Sequence, residues 1–217
     1  MTTTLPMFPL QMVVYPGELL PLHIFEERYQ QLIHDCEIKG ITFGIPAYIN
    51  NTMTYGTEVA LERVAKRYNT GASDIVCRGL RVFQMLRFDD PLSNNLYAGA
   101  EVRFLKNIKD GTISQQKRFL LLVQELYDVL HVEYPDIAND DVHSFSFAHK
   151  LGLSLDQEAT LVQMASESDR YAYLIDHLSV TIPIAKQINR TKELIQLNGH
   201  FKNFDPLDFS EYKLTDI

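Results

Sequence analysis

Seven histidines, His23, His34, His131, His143, His149, His177 and His200, are the side chains here best suited to acid–base or metal chemistry near neutral pH. Two histidines that share a metal from one helix stand four apart, so that both rings leave the same face. No pair has that spacing, and His143 and His149 are six apart. Each therefore reads as a surface or capping histidine, with His23, close to Glu26, expected to fix a strand-to-helix corner by hydrogen bonding. The carboxylates Glu26-Glu27, Asp89-Asp90 and Asp140-Asp141 come as adjacent pairs. Adjacent side chains diverge on a helix and point to opposite faces of a strand, so they cannot share a proton. Ser144, Ser146 and Ser154 lack the G-x-S-x-G elbow of a nucleophile. Cys36 and Cys77 belong to no CxxC pair, which leaves two buried free thiols as the reading. No catalytic residue, cofactor site or metal site emerges.

Binding remains. Tyr48, Ile49, Met53 and Tyr55 flank an Asn50-Asn51 turn, and Tyr68 lies across the next turn. Apolar and aromatic residues at a hairpin tip either pack back onto their sheet or present an adaptable polypeptide-binding patch. The net charge of -8 and pI near 5.3 lean away from non-specific nucleic-acid binding, which draws on clustered Lys and Arg. The 217 residues, 46% hydrophobic, suit one large domain or two small ones sharing an interface. MTTTLPMFPL has no basic signal-peptide start, and no apolar run is long enough to span a bilayer, so a cytoplasmic location is expected.

The elements that must position these residues are of two kinds. Leu5 to Tyr29 reads as an edge strand bracketed by Pro6 and Pro9, continuing through Leu10 to Tyr15. A Pro16-Gly17 corner follows, then a helix with Ile24, Phe25, Tyr29, Leu32, Ile33 and Cys36 on one face. Short strands follow from Ile41 to Leu105, punctuated by Asn50-Asn51, Asn69-Thr70-Gly71 and the 89–95 loop. Ile75 to Leu86 is one strand or a pair, and Gly79 within it marks a bulge or a close backbone approach. Beyond Lys106 to Thr112 the period becomes helical. A helix through Leu130 is expected to stop at Tyr134-Pro135-Asp136, and a shorter one spans Val142 to Leu151 before Gly152. Ser154 and Gln157 form a capping box for a helix through Met164. A long last helix carries Pro183, where a kink or a break is expected, and ends at Asn198-Gly199. Phe201 to Ile217 has no period and reads as a tail. The class is α+β.

Leu5-Pro6-Met7-Phe8-Pro9-Leu10, Pro16-Gly17 and Pro21-Leu22-His23-Ile24-Phe25-Glu26-Glu27-Arg28-Tyr29 match, in order and spacing, the opening of the Lon protease N-terminal (substrate-binding) domain. Gly56 to Ala60, Gly79 to Phe83 and Tyr97 to Val102 resemble later segments of that family. Val82 separates Arg81 from Phe83 where the family often has Arg directly before Phe, so no role passes to Arg81. The resemblance implies a PUA-like β pseudo-barrel with an early helix over 1–108, a C-terminal α-helical bundle over 113–200 and a tail over 201–217. Pro16, Gly17, Pro21, His23, Phe25, Glu26, Arg28 and Tyr29 then read as structural, so truncating Phe25 or Tyr29 should cost stability. It also implies binding of exposed hydrophobic segments of unfolded or damaged proteins, as an adaptor or holdase, with a separate protease or chaperone as partner. The alternative is an RNA-binding PUA-like module. No GxxxxGK followed by Ser or Thr occurs and the chain ends at Ile217, so neither ATP hydrolysis nor Ser-Lys proteolysis is expected.

Overall fold

Alternating apolar runs between Thr3 and Phe104 form six strands around one early helix, in the order β1 (Thr3–Met7), β2 (Leu19–Ile24), α1 (Glu27–Lys39), β3 (Phe43–Pro46), β4 (Tyr55–Arg67), β5 (Ser73–Asp89) and β6 (Ala98–Phe104). A computed structural model describes residues 2–92, 94–135 and 142–197. The sheet runs β2-β5-β4-β3-β1-β6, and β5 pairs with β6 as well, so five strands close on themselves. Strand β5 is long enough to serve both ends: Ser73 to Arg78 pair with β2, and Phe83 to Asp89 with β6. Closure removes the open edges of those five strands that would otherwise invite mispairing, and leaves β2 outside the ring.

Helix α1 turns Tyr29, Leu32, Ile33 and Cys36 into the same core as Phe8, Phe43, Ile45, Val59, Ile75 and Cys77. Tyr29 stacks on Phe8 at 3.9 Å. Burial pushes both thiols, Cys36 and Cys77, up to about 12, so neither is a thiolate near neutral pH. Tyr97 donates to the buried Asp35 carboxylate at 2.7 Å, and Lys39 pairs with the same carboxylate, tying α1 to the start of β6.

Three expectations about the opening stretch need correction. Strand β1 is not an edge: it pairs with β6 along its length and with β3 at Met7. Pro6 is tolerated because the β3 side uses only that end, where the Phe8 N–H reaches the Gly44 carbonyl at 2.8 Å. The strand with one free edge is β2, which carries Pro21. Residues 8–18 form no strand beyond a bridge from Leu10 to Ala47. The helical face is also shorter than expected. Ile24 ends β2, and Phe25, 66% exposed, precedes α1. Cross-strand pairing with Ser73 to Arg78 captures Leu19 to Ile24 as strand. Phe25→Ala is accordingly expected to leave stability within about 0.5 kcal/mol of wild type, as read from denaturant midpoints.

The helical half comprises α2 (Ile113–Leu130), a 3-10 helix (Ser144–Lys150), α3 (Leu155–Gln163) and α4 (Glu167–Leu197). Capping boxes at Thr112/Gln115 and Ser154/Gln157 open α2 and α3. Helix α2 stops at His131 in the left-handed conformation, before Tyr134-Pro135. Helix α4 continues through Pro183 without a break. Asp136, Asn198-Gly199 and the 201–217 tail lie outside the described residues. Phe119, Leu126, Phe147, Leu161, Leu174 and Leu178 share one core with Val13, Tyr15, Ala47 and Val82 from the strand-rich half. The junction between the halves is therefore packed. No helix among the described residues is long and apolar enough to cross a membrane.

Candidate functional site

The Pro16-Gly17 corner is held against β5 by two backbone hydrogen bonds, from Gly17 N–H to the Gly79 carbonyl and from Gly79 N–H to the Glu18 carbonyl, each 2.9 Å. This close backbone approach is what the glycine at position 79 permits. Gly17 itself turns with φ +88°, a region that costs other residues strain. The corner aims Tyr15, Pro16 and Glu18 at the 142–150 segment, where the Tyr15 ring stacks on Phe145 at 5.0 Å and meets His149 at 4.8 Å. Three cavities open around this contact, of about 460, 480 and 220 Å³, and all are walled by Pro16 and Phe145. They form a groove along the junction of the sheet and the helices.

Arg170, 2% exposed, organises the groove's inner wall. Its Nε donates to Ser144 Oγ at 2.9 Å and to Glu167, Nη1 to the Met164 and Ala165 carbonyls, and Nη2 to Asn107 Oδ1 at 2.7 Å. The guanidinium also lies 4.5 Å over the Phe145 ring. Burial pulls the Glu167 carboxyl upward, but the Ser144 N–H and Arg170 more than offset that and hold it below its ordinary range. His143 faces the same space. Loss of hydration, with Arg170 and Lys109 nearby, lowers its pKa against the opposing pull of Glu167.

His149 does the opposite. Its ring bridges Glu18 Oε2 at 3.1 Å and Glu158 Oε1 at 2.8 Å, and Glu18 also accepts from Tyr15 N–H. The hydrogen bond to Glu18 outweighs burial and, with Glu158, raises its pKa to about 9. A folded-state pKa above the unfolded value means the charged ring stabilises the fold. That contribution is full below about pH 6.5 and is lost as pH rises through 9. The ring is about a third exposed, so screening holds the effect to about 1–2 kcal/mol. We expect wild type to lose this much stability relative to His149→Gln between pH 6.5 and 9.5, measured by urea denaturation.

The residues around the Asn50-Asn51 turn are divided by the structure. Both asparagines have positive φ, and Ile49 pairs with Thr52 across the turn. Tyr48 and Met53 border a cavity with Leu10 and Phe88, whereas Ile49 and Tyr55 border another against α3, where Asn50 Nδ2 reaches Asp156 at 3.1 Å. All four are half-buried. Tyr68 is elsewhere, beyond the far end of β4, a strand about 40 Å long. Its hydroxyl donates to Asp74, which also binds His23 Nδ1 at 2.6 Å. Those two bonds, His23's first, hold the Asp74 carboxyl below its ordinary range. His23 therefore pairs across β2 and β5, and does not secure a helix start.

Arg170, Glu167 and His149 carry no local sequence signal that joins them in one site. Their partners lie up to 131 residues away, and only the Pro16-Gly17 corner and Gly79 carried a local signal. Among the described residues, no group of three or more His, Cys, Asp or Glu side chains could hold a metal ion.

The family model described as ATP-dependent protease La (LON) substrate-binding domain matches residues 4–189. Among solved structures, a Lon N-terminal domain protein from Xanthomonas campestris is similar at 26% identity and a TM-score of 0.63, over 80% of this chain and 98% of that one. The N-terminal domain of the Mycobacterium avium complex Lon protease shares the fold at 16% identity and a TM-score of 0.60, over 82% of this chain and 98% of that one. Among curated protein sequences none matches the chain.

Proposed function

Because this chain belongs to the LON substrate-binding domain family, we propose that it captures exposed hydrophobic segments of unfolded or damaged proteins and does not itself process them. The match over residues 4–189 carries the reading, since it spans both the strand-rich and the helical half. The cavities beside Tyr48 and Met53, and beside Ile49 and Tyr55, support it with apolar side chains of half-exposed, adaptable type. Tyr68 is set apart from them, and we assign it to the His23–Asp74 cluster. Held polypeptide would then pass to a separate protease or chaperone, the chain acting as adaptor or holdase.

The test is a titration of a fluorescently labelled, permanently unfolded polypeptide with this protein, alongside an unrelated folded protein of similar acidity. Saturable binding well above that control is expected, weakened when Tyr48 and Met53 are both changed to Ser. Binding no stronger than the control's would refute the proposal.

A further inference from the structure

Counted over the described residues, the junction groove carries a charge opposite to that of the protein around it. Its carboxylates, Glu18 and Glu167, are both already satisfied, the first by His149 and the Tyr15 N–H, the second by Arg170 and Ser144. Each of the three cavities also has one exposed lysine on its rim: Lys109, Lys150 and Lys106. Among the described residues none of these lysines makes an ion pair, a hydrogen bond or a cation–π contact. Arg81 on the same wall is different, because it is paired with Glu58 and covered by the Phe104 ring. The chain as a whole has eight more carboxylates than Lys and Arg, so an unopposed run of lysines along one groove is a local inversion of sign.

Apolar side chains stand among the polar ones between the lysines: Pro16, Val142 and Phe145, with Ile113 on one side and Leu105 and Met164 on the other. A ligand that fits must offer apolar side chains to the walls and negative charge to the rim, over a length that passes all three cavities. We propose that this groove docks an extended polypeptide segment in which apolar and acidic residues are interspersed, the three lysines selecting for its carboxylates. This rests on the reading of the chain as a polypeptide-binding module and adds to it a second contact surface, apart from the cavities beside the Asn50-Asn51 turn, with a charge preference of its own. A nucleic acid would satisfy the lysines but has no use for Pro16 and Val142, and the Phe145 ring, which could otherwise stack on a base, is buried and already engaged by the Tyr15 ring and the Arg170 guanidinium.

The preference comes from exposed charges, so it is modest and salt-sensitive. Three such pairs together amount to about a tenfold difference in Kd. The experiment compares two fluorescent peptides of identical length and apolar content, one bearing Asp and Glu, the other Lys, by anisotropy at low and high salt. We expect the acidic peptide to bind about tenfold more tightly at low salt, and the gap to shrink at high salt. The triple variant K106E/K109E/K150E should abolish or reverse the gap while keeping the wild-type thermal midpoint, since all three side chains are exposed. Should substitution of this kind perturb the fold, K109Q alone, with a partial loss of the gap, serves the same purpose. Equal affinity for the two peptides, or a gap that survives the triple variant, overturns this inference while leaving capture of unfolded polypeptide standing. An RNA oligonucleotide that displaces the acidic peptide at lower concentration than the peptide itself also overturns it. No binding of any polypeptide, acidic, basic or unfolded, would instead remove the functional reading on which it rests.

Discussion

Replacing Arg170 with methionine is expected to lower the unfolding free energy by about 3–5 kcal/mol, the cost of breaking a buried ion pair from one side. In a chain of this length that corresponds to a fall in thermal midpoint of about 10 °C. The size follows from what the guanidinium joins. It is buried, and its donors reach Asn107 after the last strand, Ser144 in the 3-10 helix, Met164 and Ala165 after α3, and Glu167 in α4. Methionine fills a similar volume but leaves the Glu167 carboxylate, only 12% exposed, without its cation, and takes from the Met164 carbonyl the guanidinium N–H it accepts, while Ala165 keeps the Ile108 N–H. Arg170→Lys should be nearly as damaging, because one ammonium cannot span partners that the planar fork reaches in several directions. The informative variant is the double replacement R170M/E167Q. Removing both charges should recover part of the loss, since the penalty for a stranded carboxylate disappears. Urea denaturation of the four proteins measures this. An Arg170→Met midpoint equal to that of wild type would mean that the junction is held by apolar packing alone.

How much of this was readable beforehand depends on how far apart in sequence the interacting groups lie. The Ser154/Gln157 cap was legible because it is complete within four residues, and so was the turn at Asn50-Asn51. The α+β class and the order of halves were legible from the change of hydrophobic period near Lys106. Strand β2 was misread because its partner lies some fifty residues on, and Ile24 is buried whether it ends a strand or begins a helix. The same ambiguity placed Phe25 in the core, where the structure leaves it in solvent. The groove was illegible for a stronger reason. His149 binds one carboxylate 9 residues away and another 131 residues away, and Arg170 reaches Asn107 across 63. No local pattern distinguishes a histidine or an arginine with such partners from one on the surface. Tyr68 lies apart from the hairpin residues because proximity across a turn says nothing about the length of the strand between.

Gly79 was legible, and its replacement by alanine is the second large effect expected. A Cβ at position 79 would lie 2.1 Å from the Tyr15 carbonyl oxygen, a backbone atom that cannot rotate away. The Pro16-Gly17 corner must then lift off β5, which breaks the two hydrogen bonds that Gly79 exchanges with Gly17 and Glu18. Overpacking and the lost bonds together should cost about 3 kcal/mol. Gly40 provides the control. Its φ of +64° disfavours a side chain, but a Cβ there meets nothing within 4 Å, so Gly40→Ala should cost only about 1 kcal/mol. The two glycines thus separate backbone strain from close approach, and urea denaturation at pH 7 should rank Gly79→Ala clearly below Gly40→Ala. Lifting the corner also moves Pro16, the wall shared by all three cavities, and separates Glu18 from His149. The Gly79→Ala protein that remains folded should therefore lose the raised histidine titration, followed by the NMR shift of the His149 ring, together with its preference for acidic peptide. Retention of both, alongside a wild-type midpoint, would show that the corner does not depend on β5 for its position. The motif that opens this family's sequence would then owe its shape to Pro16 and Gly17 alone.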